Sequence, residues 1–479
     1  MIGYFKKAFK KYKCMNIALK AGIWFTICNL LQKGISFITL PIFTRLLNES
    51  QYGTYSLYLS WLNIISVFTS MNLYYGVFNK ALIKYEDDRN RYISSMIGLT
   101  NFIVFIFFVI YLVFKNFWNT LLGLSTPLMI FMFLEMFFTP SLQFWMVRAR
   151  FEYKYRVVVL VTALQAVLNP LLGIWFVLIS TQKVEARVGA TVLIEAIICG
   201  GIMIWQIYKG KKLYVKKYWK YAFCFNFPLL PHYLSGQVLN QGDRIVIEKV
   251  LNAAAVGLYS IGYNVGMIAQ LFTNAVVQSV TPWLYQSMKN NNLDKIESRI
   301  DQINYLIAIS CIGIMLFAPE IVSLLAPPPY QEAIYVLPPI TASVFFIYIY
   351  NIYSNIEFYF ERRSLIAIGS IVAAILNIIL NIFFVKWFGF VAAGYTTLFC
   401  YFVYAIIHSF FSNKICLEEL GKSFINTKKF IKISILVILF TLIINSLYSQ
   451  FYLRYLLVLI ILGFGFIKRN IIIDIFKKG

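Results

Sequence analysis

Residues 45–56, RLLNESQYGTYS, recur later in the chain as residues 249–260, KVLNAAAVGLYS. Each copy follows one long apolar segment and precedes another, so the two copies hold the same place in the order of segments. An even number of segments, six, separates the copies, so the repeat predicts two halves with the same orientation, related by an internal duplication. The identical positions are Leu47 and Leu251, Asn48 and Asn252, Gly53 and Gly257, Tyr55 and Tyr259, and Ser56 and Ser260.

The composition of the chain is that of a membrane protein. Of the 479 residues, 60% are hydrophobic and 13% are charged, whereas soluble domains are about 45–50% apolar and 25% charged. The seven cysteines form no C-x-x-C pair and the two histidines are far apart, so the sequence predicts no metal site and no disulfide framework. A large soluble catalytic domain is excluded, because spans of roughly 20 residues fill nearly the whole length.

The apolar segments predict an all-α integral membrane protein with about fourteen transmembrane helices. Two pseudosymmetric six-helix lobes come first and two helices follow them, and the even total puts both termini on one side of the membrane. The predicted spans are residues 17–43, 52–78, 92–114, 126–147, 157–180, 188–208, 221–247, 255–288, 303–326, 333–360, 364–385, 388–412, 430–448 and 452–467.

The distribution of Lys and Arg predicts that both termini are cytoplasmic. With that orientation, 33 of the 43 basic residues lie on the cytoplasmic side, three lie within spans and seven lie outside. The formal net charge of +23 therefore reflects topology and contact with anionic lipid headgroups, and it does not indicate a nucleic-acid partner. The seven outer residues are Arg45, Lys115, Lys183, Arg187, Lys249, Lys386 and Arg454.

The same reasoning divides the chain into five parts. The division is based on the span order, on the lysine-rich stretch between the lobes and on the apolar residues spaced at helical intervals near the amino terminus. The parts are an interfacial amphipathic helix at 1–14, an amino-terminal lobe at 15–208, a basic cytoplasmic linker at 209–220, a carboxyl-terminal lobe at 221–412, and the last two spans with a basic tail at 413–479.

Several short motifs resemble those of the polysaccharide-export flippases (Wzx-like) of the multidrug/oligosaccharidyl-lipid/polysaccharide exporter superfamily. They are TRLL at 44–47, YGTYS at 52–56, PLLPH at 228–232, DRIVI at 243–247 and VGLYS at 256–260. The resemblance extends over the whole chain in length, span number and lobe order. It implies a transporter, not an enzyme, in the bacterial cytoplasmic membrane. Such a protein translocates undecaprenyl-pyrophosphate-linked oligosaccharide repeat units for O-antigen or capsular polysaccharide by alternating access.

The resemblance also implies partners. A polysaccharide polymerase and a chain-length regulator act on the same lipid-linked units after translocation. No cofactor is implied, and the energy would come from a proton or sodium gradient, or from the supply and removal of substrate.

Polar residues within the apolar segments are candidates for a substrate cavity, because a charge at bilayer depth costs about 2.5–3.5 kcal/mol on insertion scales. Lys33 and Arg244 are candidates for binding the pyrophosphate, and Lys33 lies too deep to reach the membrane surface easily. Amide side chains that lie on helical stripes are candidates for binding sugar hydroxyls, with interhelical hydrogen bonds as the alternative interpretation. These amides are Asn29, Gln237, Asn240, Gln241, Asn264, Gln270 and Asn274.

Four further residues are candidates for ion coupling or gating: Asp243, Glu135, Glu195 and Arg45. The adjacent Asp243 and Arg244 would form either a structural ion pair or a gate between two access states. Glu135 and Glu195 would either neutralise a buried base or carry a coupling proton.

Two other functions compete with the flippase interpretation. A cation-coupled multidrug exporter of the same superfamily would have an acidic and aromatic cavity, against which the cations Lys33 and Arg244 argue. A membrane glycosyltransferase would need an acidic site outside the membrane, and a polymerase would have a large outer loop. The predicted outer loops are too short for either. The GKS sequence at 421–423 is not a phosphate-binding loop, since Cys416 stands where its first glycine would be.

Overall fold

The computed structural model describes residues 15–75 and 77–467, and these residues form helices joined by short turns, without a β-strand. The predicted interfacial helix at 1–14 lies outside the described residues. The all-α class predicted from the sequence is confirmed.

The first compact unit extends to Leu234. Its helices are α1 (Ile17–Leu46), α2 (Glu49–Ser70), α3 (Val77–Lys84), α4 (Arg89–Val113), α5 (Lys115–Leu122), α6 (Thr126–Phe151), α7 (Tyr155–Ile179), α8 (Lys183–Gly210) and α9 (Lys216–Asn226). A 3-10 turn at Phe227–Leu229 leads into α10 (Leu230–Val250), within which the second unit starts at Ser235.

The second unit contains the rest of α10, then α11 (Ala253–Gly266), α12 (Ala269–Lys289), α13 (Leu293–Leu316), α14 (Ala318–Leu325), a 3-10 segment (Pro328–Tyr335), α15 (Leu337–Tyr359), α16 (Arg363–Phe388), α17 (Val391–Leu420), α18 (Thr427–Leu447) and α19 (Phe451–Ile467). Its core is centred on α15, which is buried along most of its length and packs against α12, α13 and α17.

Ten helices of the described chain are long and apolar enough to cross a membrane, with α11 and α12 counted as one. An eleventh span is formed if Pro328–Tyr335 and α15, which meet at a bend of 45°, are taken together. Helices also lie at the other three predicted spans, but α2 and α10 are more polar and the apolar part of α19, Phe451–Ile461, is short. The chain is a multi-pass membrane protein, and the number fourteen and the side of the termini stay predictions.

The repeated asparagine starts the equivalent helix in each unit. The side chain of Asn48 accepts a hydrogen bond of 2.9 Å from the backbone N–H of Gln51, whose side chain in turn accepts one of 3.1 Å from Asn48 N. Asn252 accepts an equivalent bond of 2.9 Å from the backbone N–H of Ala255. The repeat at 45–56 and 249–260 therefore encodes the same local structure, an asparagine N-cap before α2 and before α11.

The helix α9 is attached to the first unit by side-chain hydrogen bonds. Tyr218 donates to Asp88 Oδ2 at 3.0 Å, and the indole of Trp219 donates to the carbonyl of Ser95 at 2.9 Å. The compact unit consequently ends at Leu234, further along the chain than the linker predicted at 209–220. The turn between α8 and α9 also runs very close to α4, where a Cβ on Gly98 would lie 2.1 Å from the carbonyl oxygen of Leu213.

Candidate functional site

In the second unit, four helices place polar groups around the carboxylate of Asp243, which is fully buried. Tyr259 of α11 donates a hydrogen bond of 2.5 Å to Oδ2, and Thr397 of α17 donates one of 2.8 Å to the same oxygen. Asn381 of α16 donates one of 2.6 Å to Oδ1. A carboxylate with three donors is one that a protein can keep ionised away from water, because the donors replace its hydration.

Further amide and hydroxyl groups extend this cluster. Thr396 donates to Asn381 Oδ1 at 2.5 Å, and Asn381 donates to Asn377 Oδ1 at 3.1 Å. Asn377 donates in turn to the hydroxyl of Thr397 at 3.4 Å. We call Asp243, Tyr259, Asn377, Asn381, Thr396 and Thr397 the Asp243 network. Its carboxylate, amide and hydroxyl oxygens are ligands that suit a hard cation, and the carboxylate is equally a group that can take a proton.

Arg244 is also buried, with 5% of its surface exposed, and it binds partners within its own unit. Its Nε donates to Ser260 Oγ at 3.1 Å, and its Nη1 donates to the carbonyl of Asn240 at 2.9 Å and to Gln241 Oε1 at 3.3 Å. The guanidinium carbon lies 4.4 Å from the centre of the Tyr263 ring.

Among the described residues Asp243 and Arg244 form no ion pair with each other. Adjacent positions of a helix point in directions that differ by about 100°, so their side chains reach different neighbours. The two side chains therefore make no direct contact, although Arg244 acts electrostatically on Asp243. A role of Arg244 in gating or in binding pyrophosphate stays a prediction.

The amide side chains predicted to bind sugars differ in their surroundings. Asn240 donates to the carbonyl of Gly236 at 2.8 Å and accepts from Tyr401 at 3.3 Å, so it makes the helix-to-helix bond that was the alternative interpretation. Gln241 accepts a hydrogen bond from Arg244 through its side-chain oxygen. Three others, Gln237, Gln270 and Asn274, are half-buried, Asn264 is exposed, and the side chain of Asn29 lies outside the described residues.

In the first unit, Lys33 lies near the middle of α1 and is exposed, and no described residue pairs with it by a hydrogen bond or an ion pair. Arg45, at the carboxyl end of the same helix, is exposed and donates to the carbonyl of Pro41 at 2.7 Å. The two cations of α1 thus differ, because Arg45 caps its own helix whereas Lys33 is available to a ligand.

Two carboxylates of the first unit lie on neighbouring helices. Glu135 of α6 is 6% exposed and accepts a hydrogen bond of 3.0 Å from Tyr58 of α2. Glu195 of α8 accepts one of 3.2 Å from Thr139. Neither carboxylate forms an ion pair with a described residue, so neither neutralises a buried base by direct contact.

Arg187 is a residue of this region that the sequence placed in an outer loop. It lies in α8, where its Nη1 donates to Thr191 at 2.7 Å and its guanidinium carbon lies 4.5 Å from the ring centre of Phe43 and 5.3 Å from that of Tyr55. Its Nε is buried and has no hydrogen-bond partner in the described chain. The loop assignment was wrong because α8 begins at Lys183, before the apolar window at 188–208.

Sequence reasoning also missed the other members of the Asp243 network. Asn377 and Asn381 are four positions apart in an otherwise apolar helix, and Thr396 and Thr397 are adjacent polar residues in the next one. The spacing that selected the stripes on the first spans of each lobe would have found this asparagine pair. Its partner Asp243 lies far away in sequence, so nothing local linked the two.

Comparison with known proteins identifies relatives over nearly the full length. A probable low-salt glycan biosynthesis flippase, Agl15 of Haloferax volcanii, is 23% identical over 421 residues, which cover 85% of this chain and 87% of that protein.

Solved structures share the fold. The lipid II flippase MurJ in an inward closed conformation gives a TM-score of 0.67 at 15% identity, over 94% of this chain and 100% of that chain. An inward-facing multidrug resistance MATE family transporter of the MOP superfamily gives 0.63 at 13% identity, over 82% and 96%.

The model of the polysaccharide biosynthesis protein family matches residues 18–288, which contain both copies of the repeat and more than half of the sequence. The chain therefore belongs to the polysaccharide biosynthesis protein family.

Proposed function

We propose that this chain is a flippase for a lipid-linked glycan precursor, namely an undecaprenyl-pyrophosphate-linked oligosaccharide repeat unit in the bacterial cytoplasmic membrane. The family, the flippase to which the chain is related and the fold that it shares with transporters support this proposal. The protein moves the unit by alternating access and makes and breaks no covalent bond. The unit then serves O-antigen or capsule synthesis, where a polymerase and a chain-length regulator act on it.

The observation that carries the proposal is that Lys33 lies deep within α1 and has no partner among the described residues. It lies 16 residues beyond Ile17, which is about 24 Å along the helix at 1.5 Å per residue. A lysine at that depth is unfavourable in lipid, so it is retained where it faces water or an anion. No described carboxylate supplies that anion, and the pyrophosphate of the lipid carrier would supply it through a charge-assisted hydrogen bond.

The sugar-binding residues of the proposal are four of the amides predicted from the sequence. Gln237, Gln270 and Asn274 are half-buried and Asn264 is exposed, and each carries both a donor and an acceptor for a sugar hydroxyl. Arg244 lies on α10, where Gln241 and Tyr263 fix its guanidinium. Lys33 of the first unit is proposed to bind phosphate directly, and Arg244 is proposed to supply a fixed positive charge in the second unit.

The Asp243 network is proposed to couple transport to an ion. A sodium ion would replace the donor hydrogens that now point at the carboxylate, whereas a proton would neutralise it. Either event changes the hydrogen bonds that join α10 to α11, α16 and α17. Glu135 and Glu195 are the corresponding candidates in the first unit.

The experiment is translocation of a fluorescent lipid-linked oligosaccharide by the full-length protein in liposomes. Lys33→Ala is expected to lower the initial rate about tenfold or more, the effect of losing one charge-assisted hydrogen bond. Lys33→Arg keeps the charge and should retain most of the activity. Lys20→Ala, a lysine near the start of the same helix, is the matched control.

Three results would contradict the proposal. The first is an unchanged rate for Lys33→Ala, which would remove the observation on which the site rests. The second is efflux of cationic drugs without translocation of the lipid-linked sugar, which would identify a multidrug exporter instead. Transfer of sugar from one lipid to another would likewise identify a glycosyltransferase or polymerase.

A further inference from the structure

A second polar cluster of the second unit lies on α15 and α17 and involves neither Asp243 nor Arg244. The side chains of Glu357 and His408 are both fully buried, and His408 Nδ1 lies 2.7 Å from Glu357 Oε1. Ser412 donates to the same carboxylate oxygen at 3.4 Å and to the carbonyl of Tyr353 at 2.9 Å. The three residues form a chain of polar groups within the core.

Two atoms of this cluster have no partner among the described residues. Glu357 Oε2 and His408 Nε2 are buried and make no hydrogen bond to a described residue. Leaving a buried polar atom unpaired costs about 1–3 kcal/mol, and more when the group is charged. Packing alone does not account for such a pair, since apolar residues of similar size would avoid the penalty.

The surroundings restrict what can approach Nε2. The ring of Tyr404 lies 4.6 Å and that of Tyr350 5.9 Å from the imidazole, centre to centre. Gly369 of α16 lies next to this nitrogen, since an added Cβ there would lie 3.1 Å from Nε2. Because it has no side chain, Gly369 offers Nε2 no side-chain hydrogen bond.

Two cations on or next to neighbouring helices are already paired. Arg362, which follows α15, binds Glu419 of α17 at 3.1 Å. Lys429 of α18 binds Asp301 of α13 at 2.6 Å, and Asp301 acts electrostatically on Tyr353. The helix α12 adds Tyr285, whose ring packs on Tyr359, and the side chains at 363–367 lie outside the described residues.

We propose that Glu357 and His408 form a reversible proton-binding site, separate from the Asp243 network. With Nδ1–H donated to the carboxylate, a neutral imidazole leaves Nε2 as a bare acceptor and gives the pair a net charge of −1. A proton taken from water at Nε2 converts the pair into imidazolium and carboxylate with zero net charge. The same proton can leave Nε2 again, which restores the neutral imidazole.

The site lies two residues from the carboxyl end of α15, which the charge distribution predicts to be cytoplasmic. The proton would therefore exchange with the cytoplasm. This inference goes beyond the proposed transport function, and it stands on the geometry of the second unit alone. Its test does not require a transport assay.

The test uses the small number of histidines in this chain. The sequence contains two, His232 and His408. The full-length His232→Gln protein, labelled with ¹⁵N-histidine and held in lipid nanodiscs, therefore gives the signal of His408 alone. Between about pH 5 and pH 8, the range in which histidine changes charge, the ¹⁵N shifts of its ring are expected to change from the imidazolium to the neutral pattern in one step.

Two variants test the parts of the proposal. Glu357→Gln removes the carboxylate that His408 contacts, so the transition of the His408 ring should move to a different pH. Gly369→Ala places a methyl group against Nε2 and should also move the transition. Gly313→Ala, with no atom within 4 Å of its added Cβ, is the matched control.

Two outcomes would overturn the proposal. The first is one unchanging histidine pattern across the whole range in the parent protein, which would identify a static structural pair. The second is a transition that Glu357→Gln leaves in place, which would show that the carboxylate takes no part. The titration of the parent protein can overturn the proposal alone, so the inference stays testable if a variant fails to fold.

Discussion

Tyr55 and Tyr259 are equivalent residues of the two repeats, and each carries an arginine guanidinium over its ring. Arg187 lies 5.3 Å from the ring centre of Tyr55, and Arg244 lies 5.8 Å from that of Tyr259. The two arginines come from helices that are not equivalent, α8 in the first unit and α10 in the second. The duplication has therefore kept a tyrosine in both halves, while its cationic neighbour is supplied differently in each.

The tyrosines that donate to buried carboxylates are expected to stabilise their units. Tyr259→Phe removes the bond to Asp243 and Tyr58→Phe removes the bond to Glu135, and a hydrogen bond to a charged group contributes about 1.5–3 kcal/mol. Both variants should lower the unfolding temperature in detergent, followed by tryptophan fluorescence. Tyr263→Phe keeps the ring beneath Arg244 and should have little effect. Equal effects of all three variants would contradict this prediction.

The two N-cap asparagines are expected to contribute similarly to the start of α2 and of α11. Asn48→Ala and Asn252→Ala should each lower the free energy of unfolding by about 1 kcal/mol. The larger loss is expected for Asn48, which belongs to a reciprocal pair of bonds with Gln51. Substitution by Ser or Asp keeps an acceptor and should restore most of the stability. Denaturation of the purified variants measures the difference, and alanine variants as stable as the serine variants would exclude a capping role.

Two glycine-to-alanine variants test how closely the turn after α8 packs against α4 in the first unit. In Gly98→Ala the new methyl group would meet the carbonyl of Leu213, so the variant is expected to lose about 1–3 kcal/mol or to displace the turn after α8. Gly201→Ala meets no atom within 4 Å and should gain about 0.5–1 kcal/mol from helix propensity. Unfolding temperatures of the two variants should therefore shift in opposite directions, and a shift in the same direction would show that the turn gives way freely.

Lys33 and Arg244 are expected to respond differently to replacement by leucine. Lys33→Leu removes a charge that no described residue neutralises, so it should leave the unfolding temperature unchanged or raised while it lowers translocation. Arg244→Leu breaks bonds to Ser260, Asn240 and Gln241 and should lower both. Parallel measurement of unfolding and transport separates the two roles. A large loss of stability in Lys33→Leu would show that this lysine has a structural partner.

Glu152, just beyond α6, is expected to make the stability of the folded protein depend on pH. Partial burial acts to raise its pKa, but hydrogen bonds from Lys154 and Arg148 outweigh this effect, so the pKa lies below its ordinary value. The stabilisation is present above about pH 4.3, the ordinary value for glutamate, and is lost as the pH falls through the lower pKa of the folded state.

Comparison of Glu152→Gln with the parent protein tests this dependence. The variant should have the lower unfolding temperature at neutral pH, and the difference should shrink at about pH 3. Glu86→Gln, which loses an exposed ion pair with Arg89, is the control with little effect at either pH. A difference for Glu152→Gln that does not depend on pH would contradict the prediction.

The helical class and the positions of most candidate residues could be predicted from sequence, because hydropathy and the 3.6-residue period are local properties. The partners of those residues could not. Asp243 is bound by Asn381 and Thr397, more than 130 positions away, and only packing brings them together. Adjacency in sequence was misleading for Arg244, since neighbours on a helix face apart. The predicted span at 188–208 likewise left Arg187 outside the helix. The helix α8 in fact begins at Lys183, before its apolar part.

After the bend of 45°, α15 begins inside the protein interior with two prolines in its first turn. Leu337, Pro338 and Pro339 form its first turn and are buried, and no side chain caps it. An ordinary first turn presents several amide hydrogens that need acceptors, but two of these residues have no amide hydrogen, and Val336 donates to Ala333. The diproline thus allows a helix to start in apolar surroundings without solvent. Replacing either proline would add an amide hydrogen to this buried first turn, and that hydrogen would need an acceptor.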